Sequence, residues 1–179
     1  MLWKLRLPLL ALVLLLGLPA LAQAGPPRSA IFFYPWYSNM RHDGHYSHWT
    51  QGGHTPPFDI ASAFFPARGP YSSGDPRVLR AQMKDIAAAG VDEVVSSWWG
   101  RGSPEDKRLA AVMRAAKRRN LRVAVQLEPY EGRSIDSIAA DLVYIRSLGI
   151  RDVYIYRSND FRALPSGAYS ASIGLFVEY

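Results

Sequence analysis

Three stretches of this chain carry residue types that suit a sugar. The first, Ser96-Ser97-Trp98-Trp99-Gly100-Arg101-Gly102, sets two hydroxyls, two adjacent indoles and a guanidinium in a row. Indole faces stack on the C–H faces of a pyranose, and the polar groups take its hydroxyls. The second, Tyr34-Pro35-Trp36-Tyr37, repeats the aromatic crowding. The third, Glu128-Pro129-Tyr130-Glu131-Gly132-Arg133, adds carboxylates and another guanidinium. Adjacent side chains on extended backbone point to opposite faces, so only one of Trp98 and Trp99 can face a core while the other faces out or over the strand end. The competing reading buries both, since Trp is usually well covered.

Glu128 is the catalytic candidate by position, at the end of an apolar run and beside a proline and a tyrosine. Hydrolysis of a glycosidic bond usually takes two carboxylates flanking it. Glu131, Asp43, Asp59 and Asp75 are the candidate partners, and Asp75 is equally explained as a helix cap. Asp92 and Glu93 lie at the far end of their strand and read as a helix–strand connection. His42, His45 and His48, with Asp43 and His54 nearby, invite a metal, because three histidines make a zinc set. Their spacing falls in a loop around Gly44, with no H-E-x-x-H frame. Hydrogen bonding to sugar hydroxyls or to the loop is the alternative, and no metal or other cofactor is expected.

The elements that must position these residues follow from periodicity. Ser29 to Tyr34 is a continuous apolar run that reads as a buried strand. A long irregular segment, about Ser38 to Gly74, holds all four His. Loops of that length are usually functional or disordered, and its aromatic content argues against disorder. Asp75-Pro76 opens a helix with the stripe Leu79, Met83, Ile86 and Ala87, and Gly90 closes it. Val91 to Ser97 is the next strand. Ser103-Pro104-Glu105-Asp106 starts a helix with cap, proline and acidic first turn, faced by Leu109, Val112, Met113 and Ala116 and stopped by Asn120. Leu121 to Leu127 is a strand. Ser134 caps a helix faced by Ile135, Ile138, Ala139, Leu142, Ile145 and Leu148, and Asp152 to Tyr156 is a fourth strand. Beyond it the pattern degrades, and Ile173 to Tyr179 resembles one more strand.

Strands alternating with helices at this spacing predict βαβ units and a parallel sheet. Such sheets bind ligands at the C-terminal ends of their strands, where all three unusual stretches fall. Four or five strands are short of an eight-stranded barrel, which takes about 250 residues. Strands apolar on both faces, with helices on the outside only, would leave an inner face uncovered in such a part-barrel.

Composition limits the remaining classes. The chain has 179 residues and no Cys. Lys4 and Arg6, the apolar run Leu7 to Leu21 and the Ala22-Gln23-Ala24 site predict a cleaved leader over residues 1–24, with export to the periplasm or outside. An uncleaved anchor is the alternative, for which the apolar run is short. After cleavage no membrane span is expected. Residues 25–179 then form one domain without disulfides. Losing Lys4 and Arg6 lowers the formal charge from +6 to a mild +4. The cluster Lys117-Arg118-Arg119 sits at a helix C-terminus, where cations favour the dipole, so no nucleic-acid partner is expected. The oligomeric state stays open.

An ordered set of motifs resembles glycoside hydrolase family 99, the endo-α-mannosidase and endo-α-mannanase group. It comprises Phe33-Tyr34-Pro35-Trp36-Tyr37, Gly44-His45-Tyr46-Ser47-His48-Trp49 and His54-Thr55-Pro56-Pro57-Phe58-Asp59-Ile60. It continues with Phe64-Phe65-Pro66, Gly69-Pro70-Tyr71-Ser72-Ser73-Gly74-Asp75-Pro76, Ser97-Trp98-Trp99-Gly100 and Leu127-Glu128-Pro129-Tyr130. The resemblance implies the N-terminal part of a (β/α)8 barrel and metal-free, retaining, endo-acting hydrolysis of α-mannosides. It implies that Glu128 contacts the sugar beside the scissile bond and assists the substrate 2-hydroxyl. The family's acid/base carboxylates belong to a Glu-Trp-His-Glu motif that this sequence does not contain, so the chain alone is expected to be inactive. The expected substrate-binding residues are Tyr34, Trp36, Tyr37, Tyr46, His48, Trp49, Asp59, Tyr71, Trp98, Trp99, Arg101, Tyr130 and Arg133. The alternatives are a non-catalytic glycan-binding or polysaccharide-assembly protein and a metal-binding exported protein.

Overall fold

The computed structural model describes residues 29–161. The leader and the strand expected at Ile173 to Tyr179 lie outside them. Four strands, β1 (Ala30–Phe33), β2 (Glu93–Trp98), β3 (Arg122–Leu127) and β4 (Val153–Ile155), form one parallel sheet in the order β1-β2-β3-β4. The register places Phe33 beside Ser96, Ser97 beside Gln126, and Gln126 beside Tyr154. Sequential, parallel neighbours with a helix in each later crossover are the βαβ arrangement of a barrel wall.

The helices start and stop where their caps dictate. In α2 (Pro76–Ala88), Asp75 accepts a hydrogen bond from Arg77 N, with proline at the first position. In α3 (Pro104–Lys117), Ser103 accepts from Asp106 N. In α4 (Ile135–Ser147), Ser134 and Ser137 cap reciprocally. Asn120, after α3, takes φ 57°, a left-handed turn that asparagine tolerates. Leu148, read as part of the α4 stripe, is exposed, and Asp141 is buried in that helix instead.

Strand alternation decides what each face holds. Phe33, Val94, Trp98, Val125, Leu127, Val153 and Ile155 face the helices and pack with Leu79 and Met83 of α2, Leu109 and Val112 of α3, and Ile138, Leu142 and Ile145 of α4. The opposite face carries Val95, Ser97, Ala124, Gln126 and Glu128, all buried. The expectation of an apolar, uncovered inner face therefore fails at β2 and β3, where that face is buried and partly polar, and holds at β1, where Phe32, beside Val95 in the register, is exposed. At its lower end Glu93, which lies within β2 and not in a connection, pairs with Arg122 at 3.4 Å and accepts from Tyr154 OH at 3.2 Å. Arg122 also pairs with Asp152.

The expectation of a buried first strand also fails. Ile31 is 41% exposed and Phe32 and Tyr34 are similarly open, leaving only Phe33 covered within β1. Among the described residues β1 pairs on one side only, with β2, and its other edge has no strand partner there.

The segment after β1 is more ordered than its composition suggests. It contains a short helix, α1 (Met40–Asp43), a 3-10 turn at Gln51–Gly53 and an antiparallel bridge between Ser38 and Ser47. Arg108 of α3 ties it down, donating to Pro35 O and Ser38 Oγ, both at 2.8 Å, and pairing with Asp43 at 3.3 Å.

Candidate functional site

Glu128 follows the last residue of β3, and its backbone N–H donates to Trp98 O at 3.0 Å, extending the β2–β3 ladder by one bond. Leu127 faces the helices, so Glu128 faces the other way. Its Oε1 accepts from Ser97 Oγ at 2.8 Å and from Gln126 Nε2 at 2.9 Å. Both donors come from the same sheet face. Gln126 lies two residues back on the same strand, and Ser97 lies beside Gln126 in the register. Only 4% of Glu128 is exposed. Burial pushes its carboxyl above the ordinary glutamate range, and Glu105 pushes the same way. The two hydrogen bonds and Arg133 oppose that shift in part. A carboxylate held rigidly with its proton affinity raised is suited to accepting a proton from a substrate hydroxyl.

Beside it lies a ladder of rings. Tyr34 stacks on Trp36 with centroids 4.6 Å apart, and Trp36 stacks on His48 at 4.7 Å and 9°. The phenol pKa of Tyr34 is raised by burial first and by the charge of Glu128 second, which sets Tyr34 within the field of that carboxylate. His48 sits at φ 62°, a left-handed conformation that costs a non-glycine residue about 1–3 kcal/mol and tends to mark functional sites. Its Nδ1 lies 3.0 Å from Gln51 Nε2, an obligate donor, so Nε2 carries the imidazole proton. Burial lowers the His48 pKa, with Glu105 opposing and Arg108 adding to that shift.

Glu128, Tyr34, Trp36 and His48 thus gather at the C-terminal edge of the sheet, and other expected site residues lie elsewhere. Tyr37, Trp49 and Tyr71 pack together, with Tyr37 on Trp49 at 4.0 Å and Trp49 Nε1 donating to Tyr71 O at 2.8 Å. They form the loop's own small core, which abuts the ladder through Tyr37, edge-on to Trp36 at 6.3 Å and to His48 at 6.0 Å. Tyr46, half-buried, precedes the Ser38–Ser47 bridge. Asp59 is exposed and takes His54 Nδ1 at 2.6 Å and Thr55 N at 3.0 Å within its own turn. Alternation holds for the paired indoles: Trp98 is fully buried on the helix side, its Nε1 donating to Asp106 at 2.8 Å, while Trp99 is 38% exposed.

Arg101 lies over the Tyr144 ring of α4, 4.2 Å from its centroid. Tyr130 donates to Ser137 and Asp141 of α4 and meets Trp98 edge-on. Both are on the helix side of the sheet. Gly100, at φ 93°, turns the chain that way, and a Cβ on it would meet the Tyr130 ring at 3.4 Å. Arg133 is buried and donates to Tyr156 O at 2.7 Å, clamping the end of β4 to that of β3. The four histidines have separate surroundings. His42 abuts Gly74, His45 Nδ1 lies 3.0 Å from Asp43 O, His48 stacks on Trp36, and His54 pairs with Asp59. Among the described residues no three potential ligands converge on a point that could hold a metal.

Sequence reading missed Ser97 and Gln126 as the residues that position Glu128, Arg108 as the anchor of the loop, and Glu105. The Gln126-x-Glu128 spacing was a usable signal, since residues two apart on a strand share a face. Nothing in the sequence separated Glu105 from an ordinary acidic first turn.

The family model for glycosyl hydrolase family 99 matches residues 28–161. A glycoprotein endo-alpha-1,2-mannosidase-like protein of Danio rerio is 36% identical over 173 residues, covering 80% of this chain and 39% of that protein. A glycoprotein endo-alpha-1,2-mannosidase of Xenopus laevis is 33% identical, covering 75% of this chain and 35% of its own length. The structure of the GH99 endo-alpha-mannosidase from Bacteroides thetaiotaomicron superposes with a TM-score of 0.64 at 26% identity, over 73% of this chain and 46% of that one. The chain thus spans less than half the length of these relatives, and its four-stranded sheet is the N-terminal part of their barrel. The match runs from the first described strand through the fourth and includes every residue around Glu128, so this chain belongs to glycosyl hydrolase family 99.

Proposed function

We propose that this chain recognises α-mannoside glycans in an exported compartment and carries the part of an endo-acting, retaining α-mannosidase site that grips the sugar beside the scissile bond. In a complete barrel Glu128 takes up the proton of the substrate 2-hydroxyl as that oxygen bonds to the anomeric carbon, the glycosidic C–O bond breaks and the leaving oxygen is protonated by an acid outside these residues. Tyr34, Trp36 and His48 form the platform against which the ring packs, and Trp99 offers a second exposed indole at the neighbouring strand end. The observation that carries this reading is the Ser97–Glu128–Gln126 arrangement, a buried carboxylate fixed by two donors beside Tyr34. A carboxylate placed only for stability would sit as well at the lower end of the strands, where Glu93 does. Glu128 stands at the ligand-binding end.

Complete hydrolysis also needs a group to protonate the leaving oxygen. In the family that role falls to the Glu-Trp-His-Glu motif, which the 179 residues do not contain. We therefore assign recognition, and not complete turnover, to the chain by itself. The test is calorimetric titration of the purified chain with α-1,2-mannotriose, alongside a product assay on α-1,2-mannan. Binding without product supports the assignment. Product formation would place a complete acid/base pair in these residues, and absence of binding by a cooperatively melting protein would remove the glycan reading.

A further inference from the structure

Glu105 is the second residue of α3 and is only 5% exposed. Its neighbour Asp106 has an ordinary structural role, accepting from Trp98 Nε1 at 2.8 Å and from Gly102 N at 2.9 Å. Glu105 has none. Among the described residues its carboxylate receives no hydrogen bond and no ion pair. Carboxylates are almost never this buried unless paired. Its oxygens are not among the described buried atoms that lack a partner, so the little surface it keeps is open to solvent and within a ligand's reach.

Its position indicates where. Residues three apart on a helix share a face, so Glu105 lies on the face of Arg108, one turn closer to the helix start. Arg108 reaches Pro35 O and Ser38 Oγ at the end of β1. The charge of Glu105 is felt by both Glu128 and His48, in keeping with its place on the α3 face that Arg108 ties to the end of β1. Two donors there have no acceptor or a free direction. Trp36 Nε1 is buried without a partner, and His48 Nε2 holds the imidazole proton because Gln51 satisfies Nδ1. A sugar, whose hydroxyls both donate and accept, answers both halves of this arrangement.

Resting on the function proposed above, we propose that Glu105 is a further substrate-binding residue, accepting a hydrogen bond from one hydroxyl of the bound α-mannoside, with Trp36 and His48 as the neighbouring donors. A hydrogen bond to a charged acceptor makes the expected loss on Glu105→Gln about 10- to 100-fold in Kd.

The test is a coupling cycle on the full chain. α-1,2-Mannotriose and its monodeoxy analogues are titrated into wild type, Glu105→Gln and Glu105→Asp, each checked by thermal melting. One deoxy position should cost wild type at least as much as Glu105→Gln costs the parent sugar, and should cost Glu105→Gln, which keeps only a neutral acceptor, much less. Additive losses at every position, or unchanged affinity in Glu105→Gln, would overturn the proposal. Should Glu105→Gln fail to fold, Glu105→Asp keeps the charge but withdraws it by one methylene. It must then show the same single-position coupling, and additivity there overturns the proposal equally. If folded wild type binds none of these sugars, the glycan reading itself has failed and this inference with it. If wild type binds and the cycle is flat, only the role of Glu105 is refuted.

Discussion

Replacing Glu128 by Gln separates function from stability, because the structure gives the two effects opposite signs. Both donors, Ser97 Oγ and Gln126 Nε2, converge on Oε1. A glutamine can present its carbonyl oxygen at that point, keep both bonds and nearly the same shape, and lose only the charge. Burial raises the Glu128 pKa in the folded chain. Ionising a group with a raised folded pKa works against folding, so its contribution to stability is fullest below the unfolded pKa and is lost as pH rises through the folded one. At neutral pH, removing the charge should leave the melting temperature unchanged or raise it. Binding should respond in the other direction. A hydrogen bond to a charged group contributes about 1.5–3 kcal/mol, which is roughly 10- to 150-fold in Kd. Differential scanning fluorimetry and titration with α-1,2-mannotriose measure the two quantities on one preparation. A variant that melts several degrees lower and binds as wild type would show that Glu128 is a structural carboxylate, and the assignment would fall.

Three further expectations follow from the geometry. Trp98→Ala should cost about 3–5 kcal/mol of stability, since Trp98 is fully buried, while Trp99→Ala should stay within about 1 kcal/mol and weaken glycan binding; equal destabilisation in chemical denaturation would contradict the opposed faces. Arg108→Ala should destabilise by about 3 kcal/mol and expose residues 38–74 to limited proteolysis, because it removes two hydrogen bonds and leaves Asp43 without its guanidinium; an unchanged cleavage rate would show that the loop holds itself. The Glu93 carboxyl is pushed up by burial, with Asp152 adding to the shift and Arg122 opposing it, so wild type should lose stability as pH rises from the ordinary glutamate range upward; Glu93→Gln should flatten that slope, and an unaltered slope would mean that Glu93 is not the group responsible.

Much of this architecture was legible because local chemistry and global fold agree. Asp75-Pro76, Ser103-Pro104 and Ser134 are caps that work without tertiary help. The helical stripes leave few alternatives to helices packed on one face of a sheet. Period-2 alternation also sent Trp98 and Trp99 to opposite faces, without telling which was the core, and the strand end put Glu128 at the ligand-binding edge. Legibility ended where alternation did. Past the strand ends, Gly100 at φ 93° and Gly132 at φ 77° redirect the chain. Arg101 and Tyr130 therefore fold back over α4 and Arg133 inward beneath Phe161, although their residue types suit a sugar. The apolar β1 run reads as buried because hydropathy does not reveal how many neighbours a strand has. The burial of Glu105 depends on a loop more than 30 residues upstream in sequence being laid against α3 by Arg108, and an acidic helix start gives no sign of that.

The central claim is that an α-mannoside lies at the C-terminal edge of the sheet, against Glu128 and the Tyr34–Trp36–His48 ladder. A co-crystal structure of the chain with α-1,2-mannotriose tests it most directly. The expected result is a mannose ring with a hydroxyl within about 3 Å of Glu128 and a C–H face toward these rings. Sugar density confined to another surface, such as the apolar groove between α3 and α4 lined by Leu109, Met113 and Leu148, with Glu128 untouched, would contradict the account.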